Sequence, residues 1–193
     1  MTEADFSVKP TLAGALVRLE PMSEEHFEGL WRATSEPEVA RLTGSHGEIT
    51  AARAREWVAT RAQTTDRLDL AVVDLATGEC VGEVVLNDWS PEDGRCNFRI
   101  LLGEAGRGRG LGAEATRLIV GYGFERLGLH RIGLTVFAFN PRARRAYEKV
   151  GFVAEGVERD ALCWEGRRYD SVWMSILAPE WSRHRGFPDA ETG

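Results

Sequence analysis

Apolar and polar residues alternate along ALVRLEP (Ala15–Pro21), the two-residue period of a half-buried strand. The next stretch, SEEHFEGLWRATSEPEV, changes to helical spacing, with Ser23 as N-cap, acids in the first turn and Pro37 as its stop. A second helix is predicted from a Thr50 cap through AARAREWVATRAQ. LDLAVVD and CVGEVVLND read as strands joined into a hairpin by LATGE, and CNFRILLG as a strand entered through SPEDG. A helix follows near Ala113–Leu127, with Ala115, Leu118, Ile119 and Tyr122 on one face and Gly128 as its C′ residue. HRIGLTVFAF is a strand, and NPRARRAYEKVG a compact helix capped by Asn140, opened by Pro141 and ended by Gly151. FVAEGVERDALCWEGRRYDSVWMSIL reads as two strands around the turn WEGR, and the polar tail after Pro179 is expected to be loosely held. The order β-α-α-β-β-β-loop-α-β-α-β-β predicts one mixed α/β domain over residues 1–193, without repeats, low-complexity segments or linkers.

Composition refines this picture in two places. The net charge of −6 argues against general nucleic-acid binding, yet Arg99–Lys149 holds ten Lys/Arg against four Asp/Glu. The remainder therefore holds fourteen against twenty-six, and a basic centre in an acidic chain points to a local anionic ligand. Cys80, Cys96 and Cys163 form no C-x-x-C pair, so neither a metal centre nor a disulfide framework is expected and a reducing compartment is. The start, MTEADFSVKPTLAG, lacks the apolar segment of a signal peptide, and no run approaches a membrane span of about 18 residues. A soluble cytoplasmic protein, with no membrane partner, is the expectation.

Five glycines crowd into Gly103–Gly112, within LLGEAGRGRGLGAEATRLIV. Each costs about 1 kcal/mol relative to alanine in ordered structure, so the density needs a reason such as a backbone lying against a ligand. A Walker A loop would end in G-K-[ST], and the chain offers GLGAEA. A dinucleotide fingerprint can be matched at Gly108–Ala113, but the loop follows several strands and the next strand ends at Asn140 without an acid for a ribose. R-x-x-G-x-G is met by Arg107, Gly110 and Gly112, a pattern in which backbone amides and a helix N-terminus receive a pyrophosphate. A glycine-rich surface turn is the plain alternative.

NPRARRAYEKVGF, placed one strand after that loop, resembles the corresponding segment of the GNAT acetyl-CoA-dependent N-acetyltransferases. LHRIGLTVFAFNPRARRAYEKVGF and RDALCWEGRRYDSVWMSILAPEW resemble the RimJ/RimL-type branch, which acetylates ribosomal-protein N-termini. The resemblance runs from about Val17 to Trp181, strongest from Cys96 to Phe152. It implies a single GNAT domain with a core of about 15–181 and flexible termini, and a mostly antiparallel central sheet, flanked by helices and splayed at the cofactor cleft after CNFRILL. It also implies acetyl-CoA as cosubstrate without a metal. The pantetheine arm would pair with backbone of Ile100, Leu101 and Leu102, and the pyrophosphate would sit on amides of Arg107, Gly108, Arg109, Gly110, Leu111 and Gly112. Arg107 and Arg109 would contact phosphates directly, with Arg142, Arg144 or Arg145 reaching the adenosine phosphates and Asn140 near the cofactor. A solvated helix face is the alternative for each of the α-helical arginines.

The resemblance makes Tyr147 the general acid beside the sulfur, and helical spacing puts it on an inward stripe with Ala143, Ala146 and Val150. Related enzymes often carry a glutamate where this chain has Asn97, and an amide is no base. The reaction would then use a water-relayed base, Glu83 or secondarily Asp88, or favour α-amines, which are already partly neutral. Trp57, Trp89 and Trp164 are candidates to line an acceptor pocket, and His26, His46 and His184 read as surface residues. The implied partners are acetyl-CoA and an amine acceptor, either a protein N-terminus or a small molecule, with a homodimer through the C-terminal strands. A non-catalytic acyl-CoA-binding module of the same fold is the alternative.

Overall fold

The computed structural model describes residues 4–47 and 49–184. Leu12–Ala13 (β1) precedes Val17–Pro21 (β2), and the helical stretch that follows is broken into a 3-10 turn at Glu24–His26, Phe27–Thr34 (α1) and Pro37–Thr43 (α2). Pro37 was expected to stop one helix; it also starts the next at its first turn, where a missing N–H costs nothing. Thr50 caps Ala51–Arg61 (α3) by accepting from the Arg53 amide at 3.3 Å. Leu68–Asp74 (β3), Cys80–Ser90 (β4) and Arg95–Leu102 (β5) form the expected meander, followed by Leu111–Glu125 (α4), Arg131–Phe137 (β6) and Pro141–Val150 (α5). Val153–Trp164 (β7) and Arg167–Leu177 (β8) close as a hairpin whose turn residues Glu165 and Gly166 both have positive φ, as a two-residue hairpin turn requires.

The tail departs from expectation. Ala178–His184 forms α6, and Trp181 is buried beneath it against Phe124, with its Nε1 donating to Glu125 Oε1 at 2.9 Å. Gly121 of α4 makes room for that indole, since a Cβ there would lie 2.9 Å from Trp181. The rest of the polar tail lies outside the described residues.

The eight strands among the described residues join one sheet in the order β1-β2-β3-β4-β5-β6-β8-β7. Every pairing is antiparallel except β5 with β6. One face packs Val84, Leu86, Phe98 and Ile132 against Leu111, Ala115 and Ile119 of α4. The other packs Ala71 and Cys80 beneath Phe27, Leu30 and Val58 of α1 and α3. The parallel pair is short: Arg95, Cys96 and Asn97 face Arg131, Ile132 and Gly133, and the pairing then stops. Beyond that point β5 stays with β4 as far as Leu102, while β6 stays with β8 as far as Phe137. The sheet forks there.

Candidate functional site

The fork opens into a cleft of about 1210 Å³. Phe98–Leu102 form one wall and Leu134–Phe137 the other, so each presents backbone that has no strand partner on the cleft side. Such an edge can pair with an extended amide-bearing ligand.

The glycine loop closes one end. Gly108 and Gly110 adopt φ of +91° and +84°, conformations that side chains with a Cβ resist. Gly110 is the N-cap of α4 and makes no side-chain cap, so the first amides of this 15-residue helix, with the positive end of its dipole, open to the cleft mouth. Arg142 of α5 reaches toward the loop, with a guanidinium nitrogen 3.1 Å from where a Gly108 Cβ would stand, and Arg145 and Lys149 line the same wall. Bare amides, a helix N-terminus and three cations fit a bound pyrophosphate-bearing molecule. Gly110→Val, outside the core, is expected to leave the chain folded and to weaken CoA binding at least tenfold. The branched side chain strains a left-handed residue by about 1–2 kcal/mol and turns the loop amides away. Calorimetric titration with CoA checks this, and unchanged affinity would take the loop out of the cofactor site.

The groups able to move protons lie farther in. Glu83 on β4 is buried and lines the cleft, and its Oε2 has no hydrogen-bond partner among the described residues. Burial, helped by the nearby Asp69 carboxylate, pushes its carboxyl up to about 7, against the opposing pull of Arg99, Arg67 and Arg61. Tyr147 on α5 lines the cleft from the other side, its ring edge-on to Phe98 at 6.1 Å and tilted on Phe152 at 6.0 Å. Burial pushes its phenol up to about 12. Asn97 sits at the apex of the fork and donates from Nδ2 to Asp88 Oδ2 at 2.9 Å. Asn140 faces the cleft and caps α5, its Oδ1 accepting from the Ala143 amide at 3.1 Å.

Residues 17–153 match the family model for the acetyltransferase (GNAT) domain. The chain belongs to the GNAT family. YdaF of Bacillus subtilis, described as a candidate ribosomal N-acetyltransferase, is 29% identical over 107 residues, 55% of this chain and 58% of that protein. A GCN5-related N-acetyltransferase from Brucella melitensis is 29% identical with a TM-score of 0.76, over 91% of this chain and 81% of that one. Spermidine N-acetyltransferase from Vibrio cholerae, solved with CoA and spermine, shares the fold at 21% identity and a TM-score of 0.80, over 88% and 99% of the two chains.

Within this GNAT cleft the expected residues divide. Ile100, Leu101, Leu102, Gly108, Gly110, Gly112, Asn140, Arg142, Arg145, Tyr147, Glu83 and Asn97 all line it. Arg109 does not, because its Nη2 turns to the buried Asp74 carboxylate at 2.5 Å and to the Ala105 carbonyl at 2.7 Å, bracing the loop from behind. Arg107 faces the cleft but is already engaged, its Nη2 donating to Glu36 Oε2 at 2.8 Å. Leu111 is a core residue, buried against the sheet, and Arg144 pairs with Glu148 on the outside of α5. In this fold the Arg109 side chain braces the loop. Glu36 and Asp74, which hold these arginines, carry no motif, and pairing across 71 and 35 residues appears only once the chain is folded.

The acceptor side also differs from expectation. Trp57 packs in the second core, Trp89 against Phe6, and Trp164 stacks on His46 at 5.3 Å; the tryptophan on the cleft is Trp173 of β8. His26 is not a surface residue but is buried, its Nδ1 bonded to Ser23 and its Nε2 to Glu20. Among the described residues no group of His, Cys, Asp and Glu is arranged to hold a metal, and no helix is long and apolar enough to cross a membrane.

Proposed function

We propose that the protein is an acetyl-CoA-dependent N-acetyltransferase that acetylates a primary amine by direct attack. The observation that carries this is a single forked cleft lined by the glycine loop, Glu83 and Tyr147 together. The amides from Gly108 to Gly112, with Arg142 and Arg145, hold the pyrophosphate and adenosine phosphates, and the free edge of Ile100–Leu102 aligns the pantetheine amides. When bound, acetyl-CoA supplies the thioester carbonyl and a thiolate leaving group. Glu83, through water, takes the proton of the acceptor amine; its raised carboxyl leaves it poised to do so near neutral pH. Tyr147, kept protonated by burial, delivers its phenolic proton to the departing sulfur.

The acceptor is either a protein N-terminus, as the RimJ/RimL resemblance implies, or a small-molecule amine. A cytoplasmic setting agrees with the three free thiols. The exposed outer strand β7, with Val153 and Val157 open to solvent, is the place for a homodimer contact. Thiol release from acetyl-CoA, followed across a panel of amines and N-terminal peptides, tests the reading. Turnover on an amine supports it. CoA binding without turnover on any of them would favour a non-catalytic acyl-CoA-binding module.

A further inference from the structure

Glu36 breaks a local rule. It is the N-cap residue of α2, a place from which a side chain usually satisfies its own helix. Its carboxylate instead reaches across 68 residues to the segment that leads from β5 into the glycine loop. Both oxygens accept from the Glu104 amide, at 2.8 and 3.0 Å, and Oε2 also accepts from Arg107 Nη2 at 2.8 Å. Glu104 opens the 3-10 turn Glu104–Gly106 and Arg107 closes it. One carboxylate therefore holds both ends of the turn that sets where the loop begins.

Gly103 shows how close the approach is. A Cβ there would lie 2.8 Å from Glu36 Oε1 and 2.9 Å from the Ala33 Cβ, so the end of β5 can run against the α1–α2 corner only as glycine. Its φ of −66° is open to any residue, which makes the approach, not the backbone, the reason for glycine. The Glu36 and Arg107 side chains are 25% and 23% exposed, away from the full solvent screening that makes surface pairs weak. An anion site gains nothing from a carboxylate set beside it. By charge alone Glu36 opposes a bound pyrophosphate, and it occupies an arginine that faces the cleft. The gain that offsets this is a loop held in one shape.

The far end of α2 rests on the other arm of the fork. Gly44, left-handed at φ +66°, stands where a Cβ would be 2.8 Å from Phe137 Cζ, at the end of β6. The Arg41 guanidinium lies 4.5 Å from the centre of the Phe139 ring. The seven residues of α2 make a helix about 10 Å long. An extended chain lying between β5 and β6 needs two strand spacings, again about 10 Å. α2 thus spans the mouth of the fork, and its Val39, Leu42 and Thr43 line the cleft.

We propose that Glu36 is a positioning residue for the cofactor: it anchors α2 to the entry of the glycine loop, so that the helix spanning the fork and the amides that receive the pyrophosphate are held as one unit. Arg107 acts through this anchor and not as a phosphate ligand. The inference rests on the reading of the loop as the cofactor's phosphate site and adds the group that fixes the loop.

The test is calorimetric titration of CoA into full-length Glu36→Ala, Glu36→Gln and Arg107→Met, with acetyl-transfer kinetics on any accepted amine. Glu36→Ala removes all three bonds and should weaken CoA binding at least about tenfold, the scale of charge-assisted bonds lost from a partly buried place. Glu36→Gln keeps an oxygen for the Glu104 amide and should fall between Glu36→Ala and wild type; if Glu36→Ala does not fold, it carries the same comparison. KM for acetyl-CoA should rise with the CoA dissociation constant, while kcat at saturation changes by no more than about threefold, because the bound cofactor restores the loop. A residue that only supports the fold would lower Tm and leave KM alone. Arg107→Met should weaken binding in wild type and add little to Glu36→Ala. Unchanged or tighter CoA binding in the folded Glu36 variants overturns the proposal; tighter binding is what a carboxylate masking a phosphate-binding arginine would give. So does an Arg107→Met loss as large in Glu36→Ala as in wild type. Gly110→Val keeps the two readings apart. If it weakens CoA binding, the loop stays the cofactor site whatever Glu36 does, and if it does not, the loop reading falls and this inference with it.

Discussion

Tyr147→Phe is expected to lower kcat by about 10²–10⁴-fold, the usual contribution of a positioned general acid, with little change in KM for acetyl-CoA. The variant keeps the ring, and the ring makes the contacts: edge-on to Phe98 and tilted on Phe152. The phenolic oxygen has no hydrogen-bond partner among the described residues, so its removal leaves no buried group unsatisfied and the melting temperature should hardly move. A tyrosine that only packs in the core would predict no loss of rate. Because burial pushes the phenol up to about 12, the acid stays protonated through the working range, and no alkaline limb from this group should appear below about pH 10. Steady-state kinetics on any accepted amine decides the matter. A kcat within about twofold of wild type, where a positioned acid supplies orders of magnitude, would return Tyr147 to the core.

What could be read from the sequence was local. The strand CNFRILL, the glycine loop, α4, β6 and α5 follow from period, caps and turn residues within windows of a dozen residues, and Asn140 and Gly151 do cap α5 as expected. Pro37 shows the limit of such rules, since the same fixed φ that ends α1 suits the first turn of α2, and the choice depends on what α2 packs against. The tail was misread because a single Trp181 in a polar stretch gives no periodic signal, while the space left by Gly121 exists only in the folded chain. The fork was expected from the family resemblance and from no local pattern: β5 and β6 are both ordinary apolar strands, and their three-residue pairing opens the cleft. The same holds for Arg107 and Arg109. Their place in the motif was evident, but the carboxylates of Glu36 and Asp74 that hold them come from distant segments. Among the tryptophans composition offered six candidates, and only the alternation of β8 against β6 turns Trp173 toward the cleft.

Glu83→Gln should separate activity from stability in opposite directions. The folded chain raises this carboxyl from 4.5 to about 7, chiefly because burial penalises its charged form. Between those two values the folded state holds a proton that the unfolded state has released. Stability from this group is therefore fully present below about pH 4.5, falls as pH rises, and levels off above about pH 7. Taken over that interval the penalty is about 3 kcal/mol as an upper bound, since water entering the cleft would lessen it. Glutamine has the same shape and no charge, so the variant should match wild type near pH 4.5 and be more stable at pH 8, by up to that amount. Its activity should move the other way. If Glu83 is the proton acceptor, the variant should lose about 10²–10⁴-fold in kcat/KM at pH 8, and should lack the acidic limb near pH 7 that wild type is expected to show. That limb also bears on the acceptor. Asn97 alone would leave the chain dependent on amines that are already partly neutral, whereas Glu83 acting as base on the neighbouring strand, its carboxyl raised to about 7, would let it deprotonate more basic ones. Denaturation midpoints at the two pH values, with a pH–rate profile for wild type and variant, measure all of this. A variant that is no more stable at pH 8 than wild type would show that Glu83 bears its charge without penalty. A variant that keeps the limb near pH 7 would assign the base to another group.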